Sequence, residues 1–223
     1  MGSVLNDAAF AAVTWIVIDF ETLTPAGRSP EPVEVAAITG QFTPAGQWTE
    51  TGRFHSLIRP PGDVPVTAAD QAQTGITARM LAPERTAAEV MTALDASLAG
   101  PGRRLVAHSA HTEATVISGY YDHCPLLART SLMCTVKLAR HAWPELRSHR
   151  LDAVLRFLRI AIPPGRHRAM PDAELTVQVF TRALAAGNSG GLWATLQDVE
   201  AAAGIAPRPR RNRDPGAVQD PLF

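Results

Sequence analysis

Two carboxylates lie close together near the N-terminus, in the segment VIDFETLTP. Asp19 and Glu21 are two residues apart, so on a β-strand both side chains project from the same face. Carboxylates held side by side at the end of a buried strand repel each other and lose hydration, unless a cation or firm hydrogen bonds compensate. Hard oxygen ligands of this kind suit Mg²⁺ or Mn²⁺. The alternative is a turn-capping aspartate beside a solvated glutamate.

Two later segments carry further groups with ligand or acid–base chemistry. Glu113 comes just after a short apolar stretch and lies near the start of a predicted helix, where an acidic side chain ordinarily complements the helix dipole. His167 and Asp172 lie in HRAMPDAEL, in which Pro171 suits the first position of a helix. An imidazole and a carboxylate are thereby placed near one helix start, an arrangement that a helix cap beside an exposed histidine also explains.

Taken together, the segments VIDFETLTP, VAHSAHTEATVI and HRAMPDAELTVQVF occur in the order, and with roughly the separations, of the exonuclease motifs of the DEDDh superfamily. Over residues 14–187 the sequence resembles bacterial DnaQ-like exonucleases, which include the proofreading epsilon subunit of the replicative polymerase. The resemblance implies an α/β fold of the ribonuclease H type, with a mixed five-stranded sheet flanked by helices. It also implies a 3′–5′ exonuclease that favours DNA 3′ ends and uses two Mg²⁺ or Mn²⁺ ions.

The resemblance also implies roles for individual residues. Asp19 would bridge the two metal ions. Glu21 and Asp172 would hold the metal that activates water, and Glu113 would support the second metal. His167 would be the general base, because an imidazole titrates near neutral pH. Thr22 and Leu23 would contact the 3′-terminal nucleotide, Leu23 through an apolar contact with its base. His108 would be a substrate-side residue or a structural one.

The second motif departs from the family pattern, which usually reads H-N-A-x-F-D. Residues 108–113 read HSAHTE, so serine replaces asparagine, threonine replaces phenylalanine and glutamate replaces aspartate. The longer Glu113 side chain reaches one methylene further, and the smaller Thr112 would compensate. Because Glu113 keeps the negative charge, we expect an active enzyme. Two alternatives stay open: an exoribonuclease of the same superfamily, and a nearly inactive module that binds 3′ ends or a clamp.

Composition limits the classes of protein to be considered. The 223 residues are 46% hydrophobic, which is typical of a globular domain. The 21 basic and 21 acidic residues give a formal net charge of zero, so nucleic acid must be bound locally and not by a field of the whole protein. Two cysteines exclude a disulfide framework. Without a signal peptide or an apolar run of about 20 residues, a cytoplasmic protein with no membrane partner is expected.

Strand and helix patterns predict the elements that must hold these carboxylates. The apolar run at 14–20 predicts a buried central strand, and the segments 33–42 and 52–58 predict an antiparallel meander with it. Short strands are expected at 105–107 and 130–134. Helices are expected at 67–73, 85–98, 111–121, 136–142, 151–159, 172–186 and 191–203.

The end of the chain differs in composition from the rest. We expect an exonuclease domain over residues 1–204 and a flexible Pro/Arg-rich tail over 205–223. The terminal QDPLF resembles the short motif by which bacterial polymerases and repair proteins bind the sliding clamp. Gln219, Leu222 and Phe223 are therefore predicted to contact that partner; the alternative is that the two apolar residues fold back onto the domain or are there by chance.

Overall fold

A central mixed sheet of six strands organises the chain in the computed structural model, which describes residues 2–206, Arg208 and Arg210. The strands lie side by side in the order third, second, first, fourth, fifth, sixth. Their bounds are β1 Thr14–Leu23, β2 Glu31–Phe42, β3 Trp48–Leu57, β4 Arg103–Ala107, β5 Leu132–Cys134 and β6 Gly204–Ile205.

The central strand β1 has different neighbours along its length. It runs parallel to β4, but that pairing extends only from Thr14 to Val17, whereas the antiparallel pairing with β2 continues to Leu23. A β-bulge between Glu21 and Thr22 shifts the register with β2. Bulges bend a strand and occur often beside active sites. Because the pairing with β4 ends at Val17, the C-terminal half of β1 has one edge without a neighbouring strand among the described residues.

Helices cover both faces of the sheet. One layer packs its apolar side chains around Trp15 and Phe180, and the other packs around Ile18 and Val116. No helix in the described part of the chain has the length and apolar character needed to cross a lipid bilayer. The helices are α1 Ala8–Ala11, α2 Ala68–Thr74, α3 Ala78–Leu81, α4 Ala87–Ser97, α5 His111–Gly119, α6 Pro125–Arg129, α7 Thr135–Ala142, α8 Leu151–Phe157, α9 Ala169–Ser189 and α10 Leu196–Ala203.

Alternate residues of β1 supply the two cores. Trp15 and Val17 face the layer that contains α7, α9 and α10, while Ile16 and Ile18 face α4 and α5. Because side chains alternate along a strand, Asp19 continues the register of Val17 toward the α9 side. The apolar run thus forms a strand buried on both faces, as predicted, and its first carboxylate appears where α9 begins.

Most of the predicted elements are present, with some differences. The α/β arrangement of a mixed sheet flanked by helices is confirmed, but among the described residues the sheet has six strands and not five. The additional strand β6 consists of Gly204 and Ile205 alone, and two residues are too few to show alternation. It spans the predicted boundary between domain and tail, and that division stays a prediction. The short helices α1, α3 and α6 were also not predicted.

Candidate active site

Three of the predicted carboxylates meet at the C-terminal end of β1. Ligand oxygens of Asp19, Glu21 and Asp172 all lie within 4.8 Å of one another. The first two belong to β1, and Asp172 lies in the first turn of α9. Small side chains allow this approach, since Ala169 and Ala173 of α9 pack against β2. In the part of the chain that the structure describes, this is the one acidic group compact enough to hold a metal ion.

The site raises the pKa values of its own carboxyl groups. Burial is the largest cause of the raised pKa of Asp19, followed by repulsion from Glu113 and Glu21. Burial and the charge of Asp172 raise the pKa of Glu21 to about 7. Burial also raises the pKa of Asp172. Carboxyl groups with raised pKa values are harder to ionise than in water unless a cation compensates their charge, so the arrangement favours cation binding.

Glu113 approaches β1 from α5, whose apolar side chains pack on the other side of the sheet. It lies in the first turn of α5, is 3% exposed and does not belong to the group of three carboxylates. The backbone N–H of Phe20 lies close enough to the Glu113 carboxyl to lower its pKa, so Glu113 lies against β1 near Asp19 and Glu21. Burial raises the pKa of Glu113 to about 8, and its Oε2 atom has no hydrogen-bond partner among the described residues. A carboxyl group in this environment requires a proton or a cation.

The loop that precedes α9 places basic residues beside Asp172. Arg166 donates from Nη1 to the Asp172 carboxylate and from Nε to Asp152 at 2.5 Å. His167 adopts φ of 68°, a left-handed conformation that residues other than glycine rarely take. Its backbone N–H lies close enough to Asp172 to lower the pKa of that carboxyl group. The histidine and the aspartate that the sequence grouped together are therefore in direct contact.

Glu34 on β2 anchors the other end of this loop. It lies opposite Glu21 in the β1–β2 register and is 1% exposed. Arg168 donates to its carboxylate from Nε at 2.9 Å and from Nη2 at 2.7 Å. The backbone N–H of Ala169 and the His55 ring donate at 2.9 and 2.8 Å. Burial would raise the pKa of Glu34, but these hydrogen bonds lower it, so an ionised Glu34 holds the start of α9 against the sheet.

Sequence reasoning missed both Glu34 and Arg166. The signal for Glu34 was a charged residue inside the otherwise apolar strand segment VEVAAI, which calls for a buried partner. Arg166 gave no such signal, because an arginine before a helix start is usually solvated. Contacts with Asp152 and Asp172 keep its side chain 17% exposed.

The second motif turns the chain between β4 and α5. The Nδ1 atom of His108 is hydrogen-bonded to Thr135 at 2.8 Å, and its Nε2 atom is buried without a partner among the described residues. Burial lowers the pKa of His108 to about 4, so the imidazole is neutral. Ser109 has φ of 61°, a conformation that asparagine adopts more readily than serine. A contact between His108 and a substrate stays a prediction.

The remaining predicted contact residues lie at the end of β1 or outside the described residues. Thr22 is partly exposed and follows the bulge, whereas Leu23 is 3% exposed. Their contacts with a 3′-terminal nucleotide stay predictions, as do the clamp contacts of Gln219, Leu222 and Phe223, which are not among the described residues. Leu23 packs in a small apolar cluster with Val33, Val64, Ile76 and Leu81.

Comparisons of the sequence agree with this geometry. The family model for the RNase T type of exonuclease matches residues 16–180, which contain all the carboxylates of the site. The PolC-type DNA polymerase III of Thermotoga maritima is 30% identical over 79% of this chain, and the match spans only 12% of that protein. The DNA polymerase III subunit epsilon of Aquifex aeolicus is 29% identical over 77% of this chain and 80% of its own length.

Solved structures share the fold. Exonuclease X in complex with 5′-overhanging duplex DNA has a TM-score of 0.60 at 24% identity, over 83% of this chain and 98% of that one. The nuclease domain of 3′hExo, a DEDDh family member bound to rAMP, has a TM-score of 0.64 at 15% identity, over 81% and 95%. The predicted ribonuclease H-like fold is thereby confirmed. The chain belongs to the RNase T type, DnaQ-like family of exonucleases.

Proposed function

We propose that this protein is a 3′–5′ exonuclease that hydrolyses the terminal phosphodiester bond of DNA. One observation carries the proposal: ligand oxygens of Asp19, Glu21 and Asp172 lie within 4.8 Å of one another, and the His167 backbone lies beside Asp172. The preference for DNA is supported by relatives that are named as DNA polymerase III proteins.

The donor atoms of the site fit Mg²⁺ or Mn²⁺. The Oδ1 atom of Asp172 and the Oε2 atom of Glu113 are buried without hydrogen-bond partners among the described residues. Carboxylate oxygens are the ligands that these hard cations prefer. Asp19 and Glu21 would complete the set, with Asp19 shared between two ions. When bound, the ions would neutralise the crowded carboxylates and stabilise the charge of the reacting phosphate.

His167 is suited to accept the proton of the attacking water. Water attacks the phosphorus of the terminal phosphodiester, the bond from phosphorus to the 3′ oxygen breaks, and that oxygen acquires a proton from solvent. The products are a nucleoside 5′-monophosphate and a strand one residue shorter. The contact of the His167 backbone with Asp172 keeps the residue beside the carboxylates, and a histidine can exchange a proton near neutral pH.

One assay tests activity, polarity, substrate and metal. Single- and double-stranded DNA and RNA, labelled at the 5′ end, are incubated with Mg²⁺, Mn²⁺ or EDTA. We expect a ladder of shortened DNA with either metal and none with EDTA, and nucleoside 5′-monophosphates as products. Internal cleavage, or no cleavage under any condition, contradicts the proposal. Cleavage of RNA alone supports the exoribonuclease alternative.

The proposal includes a protein partner for the end of the chain. Gln219, Leu222 and Phe223 are proposed to bind a sliding clamp, supported by the sequence QDPLF and by the polymerase III relatives. Calorimetry of the full chain with the clamp of its own organism tests this. Deletion of Leu222 and Phe223 should abolish binding and leave the exonuclease rate unchanged. Absence of binding by the intact chain at high micromolar concentration contradicts it.

A further inference from the structure

Residues 140–168 concentrate positive charge in a chain that is neutral as a whole. This segment runs from the end of α7 to the start of α9 and contains seven arginines but only two carboxylates, Glu145 and Asp152. The complete chain has 21 basic and 21 acidic residues. A neutral protein that binds a polyanion needs a local excess of this kind, because its net charge supplies no attraction.

The segment borders the carboxylate site. Asp152, in the first turn of α8, accepts a hydrogen bond from Arg166, which also donates to Asp172. The backbone of His149 lies close enough to His108 to affect the pKa of that imidazole. Residues 149–152 therefore lie beside the end of β4 and the start of α9, at the same edge of the sheet as the carboxylates.

Several arginines of the segment have no firm carboxylate partner. Arg147, Arg150 and Arg159 are exposed, and none of them forms an ion pair within the described residues. Arg156 is also exposed, and its one carboxylate contact is with Asp152 at 3.9 Å.

Arginines elsewhere on the surface differ in this respect: Arg129 and Arg182 are exposed and also form no ion pair among the described residues, whereas Arg53 is paired closely. Arg53 binds Glu50 at 2.6 Å and Glu174 at 2.5 Å. Arginines that stay unpaired beside a group of carboxylates leave their donors available to an external anion.

We infer that Arg147 and Arg150, supported by Arg156 and Arg159, form a surface that binds the phosphate backbone of a nucleic acid strand. This arginine surface rests on the proposed function, because it holds the strand whose 3′ end lies at the carboxylates. A guanidinium group suits this role, since it stays charged and donates two parallel hydrogen bonds to phosphate oxygens. Its charge also offsets the repulsion between the strand and the carboxylates at the sheet edge.

The contribution of these residues is measurable through salt dependence. For a single strand, each neutralised phosphate contributes about 0.7 to the slope of log K against log salt concentration. Replacing both Arg147 and Arg150 with alanine should reduce that slope by roughly 1–1.5 and weaken binding roughly 10–100-fold at low salt. Because these residues bind the strand and not the reacting atoms, KM should rise with little change in kcat.

The test measures binding separately from cleavage. Anisotropy of a fluorescent single-stranded DNA is titrated with the full chain carrying Asp19→Asn, with Mg²⁺ present, over a series of salt concentrations. The variant Arg147→Ala/Arg150→Ala is compared with Arg129→Ala/Arg182→Ala, which removes the same charge. Arg129 is exposed on α6, before the start of β5, and Arg182 is exposed in the second half of α9, so both lie away from the carboxylates. A thermal melt verifies that each variant is folded.

We expect the first variant to lose affinity and salt dependence and the control to match its parent within about twofold, as surface changes remote from a site do. The lysine variant Arg147→Lys/Arg150→Lys should keep the salt slope, because it keeps both charges. Equal affinity and slope in all variants would overturn the inference, as would equal losses in the control or a parent that does not bind DNA. The proposed function fails separately, if the chain with Asp19 intact binds DNA through these arginines but does not cleave it.

Discussion

At the active site, the acidic residues on the two sides of the sheet differ in their charged partners. On the α9 side, Asp172 contacts Arg166, and Glu34 binds Arg168 and the backbone of Ala169. On the α5 side, Glu113 is buried with a raised pKa and no ion pair among the described residues. On the α9 side, protein cations therefore hold Asp172 and Glu34 in place, whereas Glu113 on the α5 side depends on a proton or an added cation. The departure from the family motif falls on this second side.

The largest effect is expected at Asp19, which belongs to β1, the strand between the α9 side and the α5 side. Asp19→Asn should lower exonuclease turnover by about 10³-fold or more, because the residue is proposed to bridge both metal ions. Its melting temperature in EDTA should stay equal or rise, since the repulsion by Glu113 and Glu21 is relieved. Turnover and thermal melts are compared with Asp122→Asn, an exposed aspartate that pairs with Arg210. Turnover close to that of the unmodified chain in Mg²⁺ would disprove the two-metal assignment.

The α9 side contributes the proposed base. His167→Ala should reduce turnover by roughly 10²–10⁴-fold while DNA binding persists, because proton transfer from water loses its acceptor. Higher pH should rescue this variant in part, since hydroxide needs no base. The pH–rate profiles of the variant and the unmodified chain are compared, with His141→Ala as a control at an exposed histidine at the end of α7. Identical profiles would mean that His167 is not the base.

Glu113 tests the α5 side. Glu113→Ala should reduce turnover by about 10²-fold or more, a typical loss when one charge-stabilising group is removed. Glu113→Asp should also be slower than the unmodified chain, because the shorter side chain no longer reaches the position beside Phe20. Turnover numbers are measured over a range of Mn²⁺ concentrations. Full activity of the alanine variant would mean that Glu113 only complements the dipole of α5 and has no role in catalysis.

Glu34 tests whether the anchoring of α9 to the sheet matters for catalysis or only for folding. Glu34→Gln should reduce kcat by about 10–100-fold with little change in KM, as the loss of a positioning carboxylate typically does. Because Glu34 acts through Arg168, the double variant with Arg168→Gln should lose less than the sum of the single effects.

Glu50→Gln provides the control for this pair, because Glu50 also binds an arginine, Arg53, but on the exposed strand β3. The comparison uses kcat, KM and melting temperature for each variant. If Glu34→Gln lowers the melting temperature but leaves kcat intact, Glu34 is structural and positions nothing.

The smallest effect is expected for the free energy of unfolding in the absence of metal. The pKa of Glu113 rises from its ordinary value of 4.5 to about 8 on folding, so between these values the folded state binds more protons than the unfolded state. The free energy of unfolding should therefore decrease as pH rises from about 5 to 8 in EDTA. Glu113→Gln should flatten this decrease, and thermal melts at several pH values measure it. An unchanged pH dependence in the variant would mean that Glu113 does not carry the excess proton.

Local sequence patterns predicted most of the helices and strands but not the residues at which they begin and end. The strand at 14–20 and the helix at 151–159 lie where the structure has β1 and α8. Pro171 was expected to begin its helix, yet α9 begins at Ala169, because the buried Glu34 accepts the N–H of that residue and extends the helix backward. Proline is tolerated there, since the first turn of a helix has no internal partner for its N–H groups.

By itself, the sequence determined which residues could share a face. The two-residue spacing of Asp19 and Glu21 places both on one side of β1, because alternation is a local property of any strand. The family resemblance implied that Asp172 joins them, but only the tertiary structure brought the three together, and it alone decided that Glu34 binds Arg168 and that Glu113 forms no ion pair among the described residues. These outcomes depend on the register of β2 and on where α5 and α9 pack on the sheet. These contacts join residues that are far apart in the sequence, so no periodic pattern along the chain predicts them.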